Sequence, residues 1–296
     1  MGIAYALAAM VCFASNILVT RYALARMPLE SGFLVVLAVN ILFPAALFAV
    51  DLAARAAPWS WDWDAAFLFA LGGVIGTYVG RRMLFDAVRL LGPARASVFH
   101  STAPIFALIG AWVVASEKLG GYELAIMVVV LVGLLCTQPR ATYMASNPDS
   151  KALRFGILAG FAAVAGFGFS NVFRGVAVRV WDEPVLGAVI ASATALAFQL
   201  VATRGWPAIA QQLRAADRAA WLLYAACGVT TSMGSIFLAL SMQHMEIALA
   251  VLVVHTTPIV IFPVSVFLLK NREELSARTV AGALLVLCGI AALSLR

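Results

Sequence analysis

Uncharged apolar runs, each long enough to cross a lipid bilayer, recur along this chain. Ile3–Thr20, Gly32–Val50, Pro184–Thr203, Ile247–Leu269 and Thr279–Leu295 contain no Asp, Glu, Lys or Arg, and Ala94–Ala115 contains only Arg95. A hydrocarbon core of about 30 Å is crossed by roughly 20 apolar residues in a helix. In lipid, backbone groups are satisfied only within helices or closed barrels, and continuous runs lack the in–out alternation of barrel strands. Each run is therefore read as a membrane-spanning helix. Four less pure stretches, Ala65–Val88, Gly120–Thr137, Phe155–Val178 and Ala219–Met242, bring the expected number to ten. Composition agrees: 64% of the 296 residues are hydrophobic and 11% charged, against about 25% charged in soluble proteins. Trp59, Trp61, Trp63, Trp112, Trp181, Trp206 and Trp221 lie at or near run ends, where an interfacial belt belongs.

Several function classes drop out. The net charge of +6 resides in the loops and does not imply nucleic acid. No phosphate-binding Gly-rich loop ending in Lys-Ser/Thr occurs, so transport driven by an ATPase of this chain is not expected. Neither His-Glu-x-x-His nor Gly-x-Ser-x-Gly nor clustered acids appear, which argues against an intramembrane enzyme. Cys12, Cys136, Cys227 and Cys288 stand singly within apolar runs, without metal or redox spacing. No cofactor and no metal are expected. The first run starts at residue 3 with no basic region before it, and reads as a true span rather than a cleaved signal.

An internal duplication organises the chain. Ser15-Asn16 recurs as Ser170-Asn171, and His100-Ser101-Thr102-Ala103-Pro104 as His255-Thr256-Thr257-Pro258. Glu117-Lys118-Leu119 recurs as Glu273-Glu274-Leu275, and Gly133 as Gly289. The offsets all fall between 154 and 156 residues, in order. The polar stretch 139–154, with Asn147-Pro148-Asp149-Ser150, separates a first repeat (1–138) from a second (155–296). Five helices per repeat is an odd number, so the second copy enters the membrane in the opposite sense. The expected architecture is an all-α polytopic membrane protein: ten transmembrane helices as two inverted five-helix repeats around a central cavity. Inverted repeats are a recurrent transporter design with the binding site at their interface near the midplane.

With this layout, Ser15-Asn16, the linker Ala87-Val88-Arg89-Leu90-Leu91-Gly92-Pro93-Ala94 and the stretches from Pro104 to Leu119 and from Pro258 to Leu275, the chain resembles the drug/metabolite transporter superfamily in its ten-helix EamA-type branch. The resemblance covers nearly the whole length. It implies a secondary or facilitative carrier, in which the third, fourth, eighth and ninth helices with the first and sixth surround the cavity. Bacterial amino-acid exporters are the nearest comparison, so the expected partners are amino acids or related metabolites, together with membrane lipid, and the expected location is a bacterial inner membrane. The alternative is a flippase for a lipid-linked or amphiphilic compound. Nothing in the sequence sets the oligomeric state; a monomer is compatible with it.

Polar groups inside a span are costly and usually face the bundle interior or a cavity. Arg81 and Arg82 are candidates to pair with a substrate carboxylate, competing with a structural Arg82–Asp86 pair at i+4 or an early end of the span near Gly80. The eighth helix offers Ile236 and Phe237 in their place. His100 and His255 occupy one position in both repeats, shortly before a helix-interior proline that frees a carbonyl and permits a bend. Asn16, Asn171, Tyr78 and Ser232 complete the expected substrate-binding set, while Arg174 reads as interfacial. Gly72-Gly73-x-x-Gly76-x-x-x-Gly80 reads first as a close-packing face. Lys and Arg divide 13 to 5 in favour of the loops after odd-numbered helices, with Arg81 and Arg82 set aside. That places those loops in the cytoplasm and both termini outside, whereas the resemblance implies cytoplasmic termini.

Overall fold

A computed structural model of the chain describes residues 1–55, 60–91, 93–137, 150–203, 205–261 and 277–294. Trp59, most of the 139–154 linker and Glu273-Glu274-Leu275 lie outside them. Among the described residues there is no strand. Helices α1 (Gly2–Leu24) and α2 (Leu29–Ala54) form the first two spans. The third is one continuous rod of three parts: α3 (Trp63–Gly72), a π-helical segment Gly73–Gly80, and α4 (Arg81–Leu91). The fourth is broken into α5 (Pro93–Ser101) and α6 (Ala103–Val114). Then follow α7 (Gly121–Thr137), α8 (Ser150–Val180) and α9 (Pro184–Ala202). A short α10 (Trp206–Ala215) precedes α11 (Arg218–His244). The ninth span is α12 (Ile247–His255), which turns at Thr256-Thr257 and resumes as helix to residue 261; α13 (Ala277–Ser294) is the tenth.

Helix starts follow ordinary capping chemistry. Asp62 accepts from the Ala65 amide (2.8 Å) and Asp217 from the Ala220 amide (2.7 Å), satisfying donors that a helix N-terminus leaves unpaired. At the end of α6, Ser116 takes a positive φ of 55° and the Glu117 amide closes onto the Ala111 carbonyl (3.1 Å). This left-handed turn stops the helix and redirects Glu117.

Close approach of backbones sets the packing. α1 runs antiparallel to α11: Gly2 meets His244, Phe13 meets Gly234, and Asn16 meets Cys227 and Thr231. The third span runs antiparallel to α8, with Gly72 and Gly76 at Ser170, Gly80 at Ala163, and Leu91 at Gly156. A β-carbon on Gly76 would lie 2.3 Å from Ser170 Oγ, so only glycine permits this spacing. The glycine run is thus a packing face, and it is wound as a π-helix rather than an α-helix. α7 and α13 also pair: Gly133 abuts Val286 and Gly282, while Gly289 abuts Val130 and Ile126, the same contacts with the two helices exchanged.

Large apolar side chains remain exposed on the outside of the bundle, among them Leu42, Phe67, Trp112, Val128, Leu158, Val201, Leu222 and Leu284. Such a surface belongs against lipid. Trp181 directly follows the last residue of α8, at a helix end as expected. It is buried at 6% exposure, edge-on to Trp61, with its Nε1 donating to the Ser60 carbonyl.

Candidate functional site

The two helix breaks bring two histidines together. In the fourth span the break falls at Thr102, whose hydroxyl donates to the Phe99 carbonyl (2.7 Å); in the ninth, Thr256 and Thr257 donate to Val253 and Val254 (both 2.6 Å). Pro104 and Pro258 follow, removing a backbone donor in each case. His100, one residue before the end of α5, and His255, the last residue of α12, precede these breaks, about 10–12 Å along their helices at 1.5 Å per residue. Their ring centroids are 5.3 Å apart. His255 Nδ1 lies 2.9 Å from the Val251 carbonyl. A carbonyl only accepts, so Nδ1 carries hydrogen and the neutral ring offers Nε2 as an acceptor. His100 stands edge-on to Phe167 of α8 and is exposed.

Two arginines border this pair. The span does not end at Gly80: it continues to Leu91, leaving Arg81 about 15 Å from that end. Its guanidinium carbon sits 4.8 Å above the buried Phe33 ring of α2, a cation–π contact, and the residue before it, Gly80, lies against Phe167, the ring that stands edge-on to His100. Arg174 lies about 9 Å from the end of α8 and turns into the bundle. Its stem lies against Gly72, where a β-carbon would come within 3.0 Å of Cγ, and its Nη2 donates to Thr77 Oγ1 (2.7 Å) within the π-helical segment. The Nε atoms of Arg81 and Arg174 are both buried and have no acceptor among the described residues. No carboxylate among those residues pairs with either arginine; the ion pairs are Arg26–Asp217, Arg55–Asp51, Arg55–Glu183 and Arg179–Glu117.

The other expected residues are distributed differently. Asn16 Nδ2 donates to the Cys227 carbonyl and to Thr231 Oγ1, both at 2.8 Å, and so holds α1 to α11. Ser232 is buried and 3.1 Å from Asn40, whose amide, turned so that nitrogen faces acceptors, also meets the Gly228 carbonyl. Tyr78 is half-buried with its ring 5.8 Å from Phe198. Arg82 is exposed and forms no ion pair with Asp86. Asn171 lies on α8, three residues before Arg174. It is half-buried and has no hydrogen-bond partner among the described residues. The structure therefore brings together Arg81, His100 and His255 with Arg174, which sequence reading placed at the interface. The missed signal was an intramembrane cation with no acid within one helical turn on its own helix.

A π-helical stretch joined to this cluster is informative, because such windings concentrate at functional sites. Chemically the cluster offers two fixed positive charges, an imidazole acceptor and an uncommitted amide. That set can hold an anionic group and hydrogen-bond the rest of a small polar molecule.

Comparison with known proteins gives three results. The model of the EamA-like transporter family matches residues 1–137 and again 154–295. A solved structure titled only "Crystal structure of protein" superimposes with a TM-score of 0.72 at 19% identity, over 99% of this chain and 96% of that one. No curated protein matches the sequence.

Proposed function

We propose that this chain, which belongs to the EamA-like transporter family and is a membrane transporter of that type, carries small carboxylate-bearing metabolites, amino acids first among them, by alternating access. The observation that carries the reading is Arg81: a cation some 15 Å from the end of its helix, without an acid partner among the described residues, next to Gly80, which lies against the Phe167 ring that also meets the histidine pair. The halves, 1–138 and 155–296 joined by 139–154, act as inverted copies. The separate family matches to 1–137 and 154–295, and the exchanged contacts between α7 and α13, support that relation. The histidines sit where the two copies touch, at helix breaks that let each span bend. No ATPase motif is present, so movement is secondary or facilitative, and the expected setting is export across a bacterial inner membrane.

Purified protein in liposomes, loaded with one amino acid and assayed for counterflow of a labelled panel, tests the substrate class. Flux of at least one member, abolished by Arg81→Ala and by His100→Ala in protein that still elutes as a single species, is the expected result. Failure with every amino acid removes that class.

A further inference from the structure

The charge inventory of the site says more than that a carboxylate binds. Arg174 donates to Thr77, four residues before Arg81 on the third span, so both guanidiniums serve one stretch of that rod, and a guanidinium does not lose its proton in a protein. Each buries a donor, Nε, that finds no acceptor among the described residues. Neighbouring groups do not offset them: Phe33 presents a ring face, Thr77 a hydroxyl, and His100 and His255 are neutral or cationic but never anionic. Several acids near the ends of these and neighbouring spans are engaged elsewhere: Asp62 caps the Ala65 amide, Asp182 accepts from Gln243, Glu183 pairs with Arg55 and Glu117 with Arg179. Asp86, on α4, forms no ion pair with Arg81.

Two uncompensated cations in a low-dielectric setting are costly until counter-charge arrives. A zwitterionic amino acid supplies one carboxylate and adds an ammonium to a site with no acid to receive it. A monocarboxylate leaves one guanidinium unpaired. Only a ligand with two anionic groups neutralises both, and each guanidinium fork matches a carboxylate or phosphate edge.

We infer that the site selects small organic anions carrying two negative groups, one for Arg81 and one for Arg174, over monocarboxylates and zwitterions of similar size. The inference rests on the transporter reading for its biological meaning, but not for its test, which reads binding. Asn171 and His255 Nε2 remain to contact the skeleton between the two charged ends. Acidic amino acids fall within this class, and neutral ones outside it.

Isothermal titration of the purified full chain with succinate, 3-phosphonopropionate, butyrate and alanine decides the matter. Succinate or 3-phosphonopropionate should bind at least about tenfold more tightly than butyrate and alanine, and which of the two wins distinguishes carboxylate from phosphate-like chemistry at the second group. Arg81→Gln and Arg174→Gln should each shrink that ratio to within about twofold, while Arg154→Gln, an exposed cation at the far end of α8, leaves it intact. Butyrate or alanine binding as tightly as the dianions, or no dianion binding at all, overturns the inference. If a variant fails to fold, the four-ligand comparison on the wild type still decides. Alanine counterflow without succinate binding would leave the transport reading standing and this one refuted. Succinate binding without flux would do the reverse for that substrate.

Discussion

Replacing Glu117 tests why a glutamate follows the fourth span. Its carboxylate, 8% exposed, accepts from the Ile247 amide at the start of α12 (2.9 and 3.1 Å) and pairs with Arg179 (2.7 Å) at the end of α8. One side chain thus ties three spans at one membrane face. Removing it with alanine leaves the Ile247 donor uncapped, at about 1 kcal/mol. Breaking a fully buried pair costs about 3–5 kcal/mol, but Arg179 is 33% exposed and keeps the Met242 and Met245 carbonyls, so about 1–2 kcal/mol is the discounted figure. The total is about 2–3 kcal/mol. At about 2–4 °C per kcal/mol, Glu117→Ala should melt about 5–10 °C below wild type in a circular-dichroism scan at fixed detergent. Glu117→Gln keeps an acceptor for Ile247 and loses the charge, so it should fall between. Arg179→Ala in the Glu117→Ala background should add less than it does alone, because the two share one interaction. An alanine variant melting within about 1 °C of wild type would refute the tie.

Three further expectations follow from particular contacts. A β-carbon on Gly73 would lie 2.1 Å from the Ala191 carbonyl, whereas one on Gly121 meets nothing within 4 Å; Gly73→Ala should therefore cost about 1–3 kcal/mol and Gly121→Ala stay near neutral, read as melting temperatures side by side. The Ala220 amide, and then Arg26, hold the Asp217 carboxyl below the usual carboxylate range. Its contribution is therefore present above the unfolded value near pH 4 and lost as pH falls through the folded one, so the melting gap between wild type and Asp217→Ala should close under acid; a gap unchanged from pH 7 to pH 3 would contradict it. With Arg174 inside the bundle, the loop count on the minority side drops from five basic residues to four, which strengthens the expectation of external termini. Membrane-impermeant labelling of a terminal cysteine tag in intact cells checks it, and protection would favour the opposite orientation.

What the sequence made legible follows from which forces act locally. An uncharged run must span, so the boundaries of α1, α2 and α9 lie within a few residues of those read from charge alone. The histidine pair was readable because a duplication places equivalent residues at equivalent points of a two-fold frame, and a proline marks the bend in each copy. The π-helical winding was not readable: Gly72, Gly73, Gly76 and Gly80 fit an α-helix equally well, and the winding coincides with the close approach of Ala191 and Ser170 to that face. Arg174 was hidden for a related reason. Its direction is set across the interface, where Gly72 leaves room for the stem and Thr77 receives the head. The two asparagines show the same logic in reverse. Asn16 is tied because α11 presents Thr231 and the Cys227 carbonyl at its level. Laid over the other half at the repeat offset, those positions are Gly76 and Gly72, which offer Asn171 no side chain at all. Glycine on the third span therefore does two things at once: it admits α8 to close range, and it leaves Asn171 on the polar face of α8 without a side-chain partner there.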